Sequence, residues 1–127
     1  MGVTVTLSGP ATLMPEDTAS LGVEYVSDAH EAARGADILY FLRIQRERQD
    51  DGLIPSIDEY HRRWGATDSL VSAASPNAVV MHPGPMNRGV EISSSVADGP
   101  KSVILGQVRS GVAVRMALLY LCLGGAR

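Results

Sequence analysis

The sequence predicts an α/β fold, a Rossmann-like parallel sheet of four strands flanked by helices and followed by one long C-terminal helix. Three observations predict it. Short apolar runs alternate with stretches of helical pattern, and a glycine, a proline or a capping residue separates most of them. The hydrophobic content, 45% of 127 residues, suits one core and leaves little room for a second.

Val3, Val5 and Leu7 alternate with Thr4 and Thr6, the period of a strand, and Gly9-Pro10 ends the run. Residues 12–21 fit a short helix around Met14-Pro15-Glu16-Asp17, with Pro15 in its first turn and Gly22 as its stop. Val23-Glu24-Tyr25-Val26 reads as the second strand. Asp28 is placed to cap a helix over 29–34, and Gly35 halts it before Asp37-Ile38-Leu39-Tyr40-Phe41-Leu42. That run is apolar almost throughout, which predicts a strand covered on both faces. Residues 43–54 are dense in charge and poor in periodicity, the pattern of a long functional loop. Helices are expected over 56–64 and, capped by Thr67-Asp68-Ser69, to about residue 74, where Pro76 stops the second. Ala78-Val79-Val80-Met81 is the fourth, buried strand. Two prolines and a glycine in residues 82–88 deny both a helix and a ladder, and residues 102–123 favour one long helix ended by Gly124-Gly125.

A formal charge of -3 supplies no broad cationic field for nucleic acid or an anionic membrane surface, so small molecules or proteins are the expected partners. The single cysteine, Cys122, has no internal partner, and the three histidines come without further thiols, so neither a disulfide nor a structural zinc is expected, and the compartment read from this is intracellular. Residues 1–5 lack a cationic stretch leading into an apolar one, so no signal peptide is indicated. Residues 112–123 are apolar but interrupted by Arg115 and well short of the ~20 residues that span a bilayer, which predicts a buried helix rather than an anchor. Ser8-Gly9-Pro10 fits neither a P-loop nor the dinucleotide glycine fingerprint, and no cofactor is assigned to it.

Parallel strands joined by right-handed crossovers gather ligands beyond their carboxyl ends, which makes the loops after the third and fourth strands the places for chemistry. The first begins Arg43-Ile44-Gln45-Arg46-Glu47-Arg48, with Arg43, Gln45 and Glu47 initially on one face. A guanidinium fork matches a carboxylate with two parallel hydrogen bonds, a nearby acid fixes the fork and a glutamine adds a third bond. A solvated charge run fits the same residues. The second loop is His82-Pro83-Gly84-Pro85-Met86-Asn87-Arg88, in which the prolines remove donors and leave rigidly directed carbonyls suited to an NH2 group. Gly84-Pro85 is a candidate cis bond, although a plain tight turn explains the pattern as simply. His82 has no evident nucleophile to serve and reads as a brace for its loop, while His30 and His61 read as helix surface residues.

At these loops the sequence resembles the aspartate carbamoyltransferase family. Residues 42–48 look like its aspartate loop and His82-Pro83-Gly84-Pro85-Met86-Asn87-Arg88-Gly89-Val90-Glu91-Ile92 like its proline loop. The likeness extends to the opening Val-Thr-Leu-Ser-Gly-Pro, to Pro55 through His61, to Val96-Ala97-Asp98-Gly99-Pro100 and to Gly111-Val112-Ala113-Val114-Arg115-Met116. The cysteine-containing proline loop of ornithine carbamoyltransferases is absent, which favours aspartate as acceptor.

The resemblance implies transfer of a carbamoyl group from carbamoyl phosphate to L-aspartate, giving N-carbamoyl-L-aspartate and phosphate in pyrimidine biosynthesis, with no cofactor, in a cytoplasmic homotrimer. By similarity Arg43 and Gln45 bind L-aspartate, while Pro83, Gly84 and Pro85 bind carbamoyl phosphate. Glu47, Arg48, His82 and Arg88 support them. The family's phosphate-gripping Ser-Thr-Arg-Thr loop has no counterpart here, and Val3 aligns with the second strand of the family's aspartate domain. Residues 1–127 are therefore expected to be a partial aspartate-binding domain without the first central strand and without the N-terminal carbamoyl-phosphate-binding domain. Strand edges are then expected to lie open or apart, and the last helix to need a partner surface. A stand-alone module that binds an acidic amino acid, and a purely structural role for both loops, are the other readings.

Overall fold

The computed structural model describes residues 2–45, 54 and 56–124. Their elements follow in the order β1 (Thr6–Leu7), β2 (Glu24–Tyr25), α1 (Ala29–Ala33), β3 (Ile38–Tyr40), α2 (Ile57–Trp64), α3 (Asp68–Ala73), β4 (Val79–Met81), α4 (Ser94–Ala97) and α5 (Ile104–Cys122). The fold is α/β with parallel strands, as the alternation predicts, but the strands form two separate pairs. β1 pairs with β2 through Thr6 opposite Glu24, and β3 with β4 through Ile38 opposite Val79, Leu39 opposite Val80 and Tyr40 opposite Met81. The division accords with the expectation that a central strand is lacking.

Local chemistry sets the helix starts. The Asp28 carboxylate accepts from the His30 and Glu31 N–H groups at 2.8 and 3.0 Å, the Ser56 hydroxyl from Glu59 at 3.3 Å, and the Thr67 hydroxyl from Leu70 at 3.3 Å. The two backbone donors hold the Asp28 carboxyl below the usual carboxylate range. Gly35, at φ +70, turns the chain from α1 into β3 in a conformation only glycine takes freely.

The core lies between β3–β4 and the helices, where Leu39, Trp64, Leu70, Val80, Ile92 and Ile104 are all buried. Trp64 Nε1 donates to the Ser27 carbonyl at 3.1 Å, which seats α2 against the start of α1. The far edge of β4 is held by residues 101–103: Val80 N–H donates to the Lys101 carbonyl at 2.8 Å and Val103 N–H to the Val80 carbonyl at 3.0 Å.

Three expectations are corrected. Residues 12–21 form a 3-10 turn over Ala11–Leu13 and then further turns, not an α-helix. Pro15 forces the residue before it out of the helical region, and Met14 is extended at φ -86 and ψ 147. β3 is covered on one face only: Leu39 is buried, whereas Ile38 and Tyr40 are 55% and 51% exposed. The helix over 102–123 begins at Ile104 and is not buried; Ile104 is its buried residue, and its other apolar side chains stand in solvent. By length and composition α5 is also long and apolar enough to cross a membrane. Its first turn, however, is hydrogen-bonded to the loop after β4 and to β3 through Gln107. The short helix α4, capped by Ser93, was not anticipated, because three consecutive serines carry little helical pattern.

Candidate functional site

β3 and β4 lie side by side and run the same way, so the chain leaves both at one edge of the sheet. The ladder continues one step into the first loop, where Phe41 N–H donates to the Met81 carbonyl at 2.9 Å. Arg43 and Gln45 follow, both half-buried, on either side of the buried Ile44. This is the alternation the sequence implies for residues 43–45. Glu47 and Arg48 lie outside the described residues.

The second loop leaves β4 through His82, whose side chain is fully buried. Its backbone N–H donates to Gln107 Oε1 at 2.9 Å, and its Nδ1 accepts from the Gly84 N–H at 2.9 Å. An accepting Nδ1 leaves the proton of a neutral imidazole on Nε2. His82 thus holds the backbone of Gly84 within the prolyl turn. The Gly84–Pro85 peptide is cis, and Gly84 has a φ of +64. Pro83 and Pro85 are exposed and Gly84 half-buried, with Val108 of α5 close beside it.

The two loops are joined directly. Asn87 Nδ2 donates to the Ile44 carbonyl at 3.1 Å and to Glu91 Oε2 at 3.3 Å. Glu91 Oε2 also faces the Ile44 N–H at 3.5 Å, and Glu91 Oε1 accepts from the Asn87 N–H in a short contact. His82 Nε2 lies 3.3 Å from Oε1 of the same carboxylate, without the alignment of a hydrogen bond. Glu91 is 1% exposed, and its backbone carbonyl accepts from Ala66 at 2.9 Å. The peptide groups flanking Ile44, between Arg43 and Gln45, are thus held by two residues of the prolyl segment. Burial, followed by the charge of Glu91, pushes the nearby Tyr60 hydroxyl up to about 12.

Arg88 stands outside this junction. Its guanidinium makes two bonds to the Asp98 carboxylate, at 2.7 and 2.9 Å, and so ties the end of the prolyl loop to the end of α4. The hydrogen bond from Arg88 holds the Asp98 carboxyl below its ordinary range. His30 is exposed, and His61, half-buried, donates from Nδ1 to the Val90 carbonyl at 2.9 Å.

Sequence reading passed over Asn87, Glu91 and Gln107 as functional residues. Gln107 in the first turn of α5 joins three elements, since its Nε2 donates to the Tyr40 hydroxyl at 3.1 Å while its Oε1 holds His82. The one signal in the sequence was Glu91 itself, an acid between Val90 and Ile92 close behind a rigid loop.

The edge of β3–β4 therefore brings the segment carrying Arg43 and Gln45 against the prolyl segment, residue types suited to a carboxylate on one side and an NH2 group on the other. Residues 1–122 match the family described as "Aspartate/ornithine carbamoyltransferase, Asp/Orn binding domain". The chain is 53% identical over 127 residues to the aspartate carbamoyltransferase catalytic subunit of Syntrophotalea carbinolica, covering all of itself and 41% of that protein. Its fold superposes on aspartate transcarbamoylase from Trypanosoma cruzi, solved with carbamoyl phosphate, with a TM-score of 0.74 at 29% identity, over 92% of this chain and 39% of that one. Ornithine carbamoyltransferase from Pyrococcus furiosus shares the fold with a TM-score of 0.77 at 24% identity, over 99% of this chain and 44% of the other.

Proposed function

We propose a function from one premise: this chain belongs to the aspartate/ornithine carbamoyltransferase family and corresponds to its Asp/Orn-binding domain. The chain spans about two fifths of the length of the curated relatives it matches, at 41% of the Syntrophotalea carbinolica subunit. Its work is to bind L-aspartate and help hold carbamoyl phosphate for transfer of the carbamoyl group to the aspartate amine, giving N-carbamoyl-L-aspartate and phosphate. Arg43 and Gln45 take an aspartate carboxylate, with Glu47 and Arg48 in support. The carbonyl groups around Pro83, Gly84 and Pro85 take the carbamoyl NH2, with His82 bracing the turn and Arg88 anchoring its far end.

The observation that carries this reading is the direct junction of the two loops at Ile44, Asn87 and Glu91. An amine attacking a carbamoyl carbon gains rate chiefly from being held in line with it, and from groups that stabilise the developing oxyanion and the leaving phosphate. A fixed distance between acceptor loop and donor loop supplies the first. The second needs cations beyond those of this site, and we assign them to an N-terminal carbamoyl-phosphate-binding half and a neighbouring copy. The uncovered side chains of α5 and the open face of β3 support packing of that half against them, and the separation of the two sheet pairs supports a further strand between them. The whole enzyme is read as a cytoplasmic homotrimer of pyrimidine biosynthesis, as its likeness to aspartate carbamoyltransferase catalytic subunits implies.

The test is ligand-dependent hydrogen exchange in the complete enzyme. Carbamoyl phosphate alone is expected to slow exchange in residues 82–89, and L-aspartate added to it to slow residues 42–45 as well. Exchange in either loop that ignores both ligands contradicts the reading.

A further inference from the structure

We infer that Glu91 is a positioning residue for acceptor binding, a buried carboxylate that sets the distance between the segment carrying Arg43 and Gln45 and the prolyl turn. The inference rests on the function proposed above and adds a residue that no loop resemblance assigns.

The neighbours of this carboxylate are donors. On one oxygen, Oε1, converge the Asn87 N–H and, at 3.3 Å, the protonated Nε2 of His82; on the other, Oε2, the Asn87 side-chain amide at 3.3 Å and the Ile44 N–H at 3.5 Å. A group that only accepts, on both oxygens, matches such a shell. The position is also rigid. The Glu91 carbonyl and the Ser93 N–H are bonded to Ala66, at 2.9 and 3.0 Å, and Ile92 beside them is fully buried. Glu91 therefore stands as a fixed post in the core, and both loops are hung on it: one through Ile44, the other through Asn87. It is too deeply buried to touch a ligand in this structure, so its effect passes through Arg43, Gln45 and the prolyl turn.

The geometry separates two substitutions. Glu91→Gln keeps the size of the side chain but turns one acceptor into an NH2 group. In either orientation that NH2 confronts donors, at the Ile44 side or at the His82 and Asn87 side. Asn87→Ala removes the side-chain link to the Ile44 carbonyl and to Oε2 while leaving the bond from its own N–H to Oε1. In the complete enzyme, Glu91→Gln is expected to raise KM for L-aspartate by about tenfold or more, the scale of one charge-assisted hydrogen bond lost from a buried shell. Asn87→Ala is expected to raise the aspartate KM in the same direction, with the KM for carbamoyl phosphate within about twofold of the parent, since only the Ile44 side is released.

A purely structural role would lower the yield of folded enzyme and leave both KM values in place. That result, or an aspartate KM within twofold of the parent in both variants, overturns the inference. Hydrogen exchange on the same Glu91→Gln assembly keeps the question independent of turnover. Faster exchange at Ile44 and Asn87, with α2 and α3 still protected, supports the tether, and unchanged protection at both overturns it. If the parent assembly itself fails to carbamoylate L-aspartate, the functional reading falls, and the exchange result still decides whether Glu91 links the loops.

Discussion

Replacing Arg43 by alanine in the complete enzyme is expected to lower kcat/KM for L-aspartate by about 10²- to 10³-fold, with most of the loss in KM. The size follows from the bond type: a forked guanidinium–carboxylate pair loses two charge-assisted hydrogen bonds, together roughly 3–4 kcal/mol, and each 1.4 kcal/mol is about a factor of ten. Arg43 is half-buried beside a backbone pinned on both sides of Ile44, which limits the freedom it has to lose on binding. Arg43→Lys keeps the charge and loses the fork, so an intermediate loss of about tenfold is expected. The KM for carbamoyl phosphate is expected to stay near its parent value. Steady-state kinetics with each substrate varied in turn decides the matter, and an unaltered aspartate KM in Arg43→Ala would mean that this loop does not bind the acceptor.

The purified 127-residue chain, assayed alone, is expected to self-associate at micromolar concentration and to show no carbamoyl transfer. The cause is α5. Val112, Val114, Met116, Leu118, Leu119 and Leu121 are each more than half exposed, and they point in several directions around the helix. Burying one leucine side chain is worth about 1.5–3 kcal/mol, so a surface of this kind is driven to find a partner. Leu118→Glu with Leu121→Glu is expected to make the isolated chain monomeric, because neither side chain belongs to its buried core. The same pair is expected to weaken assembly with a carbamoyl-phosphate-binding half by at least about a hundredfold, since the two leucines no longer contribute roughly 3–6 kcal/mol on docking. Sedimentation of the chain with and without that half reads both effects. A monomeric parent chain, or full assembly by the double variant, would show that α5 is not the docking surface.

How much of this was legible depended on whether the cause was local. Asp28 and Thr67 each bond a backbone N–H two or three residues on, so their capping roles could be read from sequence with no knowledge of the fold. Pro15 is compatible with a first helical turn, but the extended conformation it imposes on Met14 prevails. The apolar run of β3 and the apolar length of α5 were both read as burial. Composition records what a surface is meant to meet, and here the covering atoms do not lie within the described residues. The convergence of the two loops followed from the order of parallel strands and was seen in advance. Its fastening was not, because a glutamate and an asparagine in a polar, glycine-rich stretch look like exposed loop residues until a distant backbone, 43 or 47 residues away in the chain, is found against them.

The central claim is that these residues form the acceptor side of one carbamoyl-transfer site. The measurement that bears on it most directly is carbamoyl transfer from labelled carbamoyl phosphate by the chain co-expressed with a carbamoyl-phosphate-binding half, offered L-aspartate or L-ornithine. Labelled N-carbamoyl-L-aspartate is expected from the assembled pair, nothing from either part alone, and little or no product with ornithine. A stable, folded assembly that leaves L-aspartate unmodified, or one that carbamoylates ornithine in its place, would contradict it.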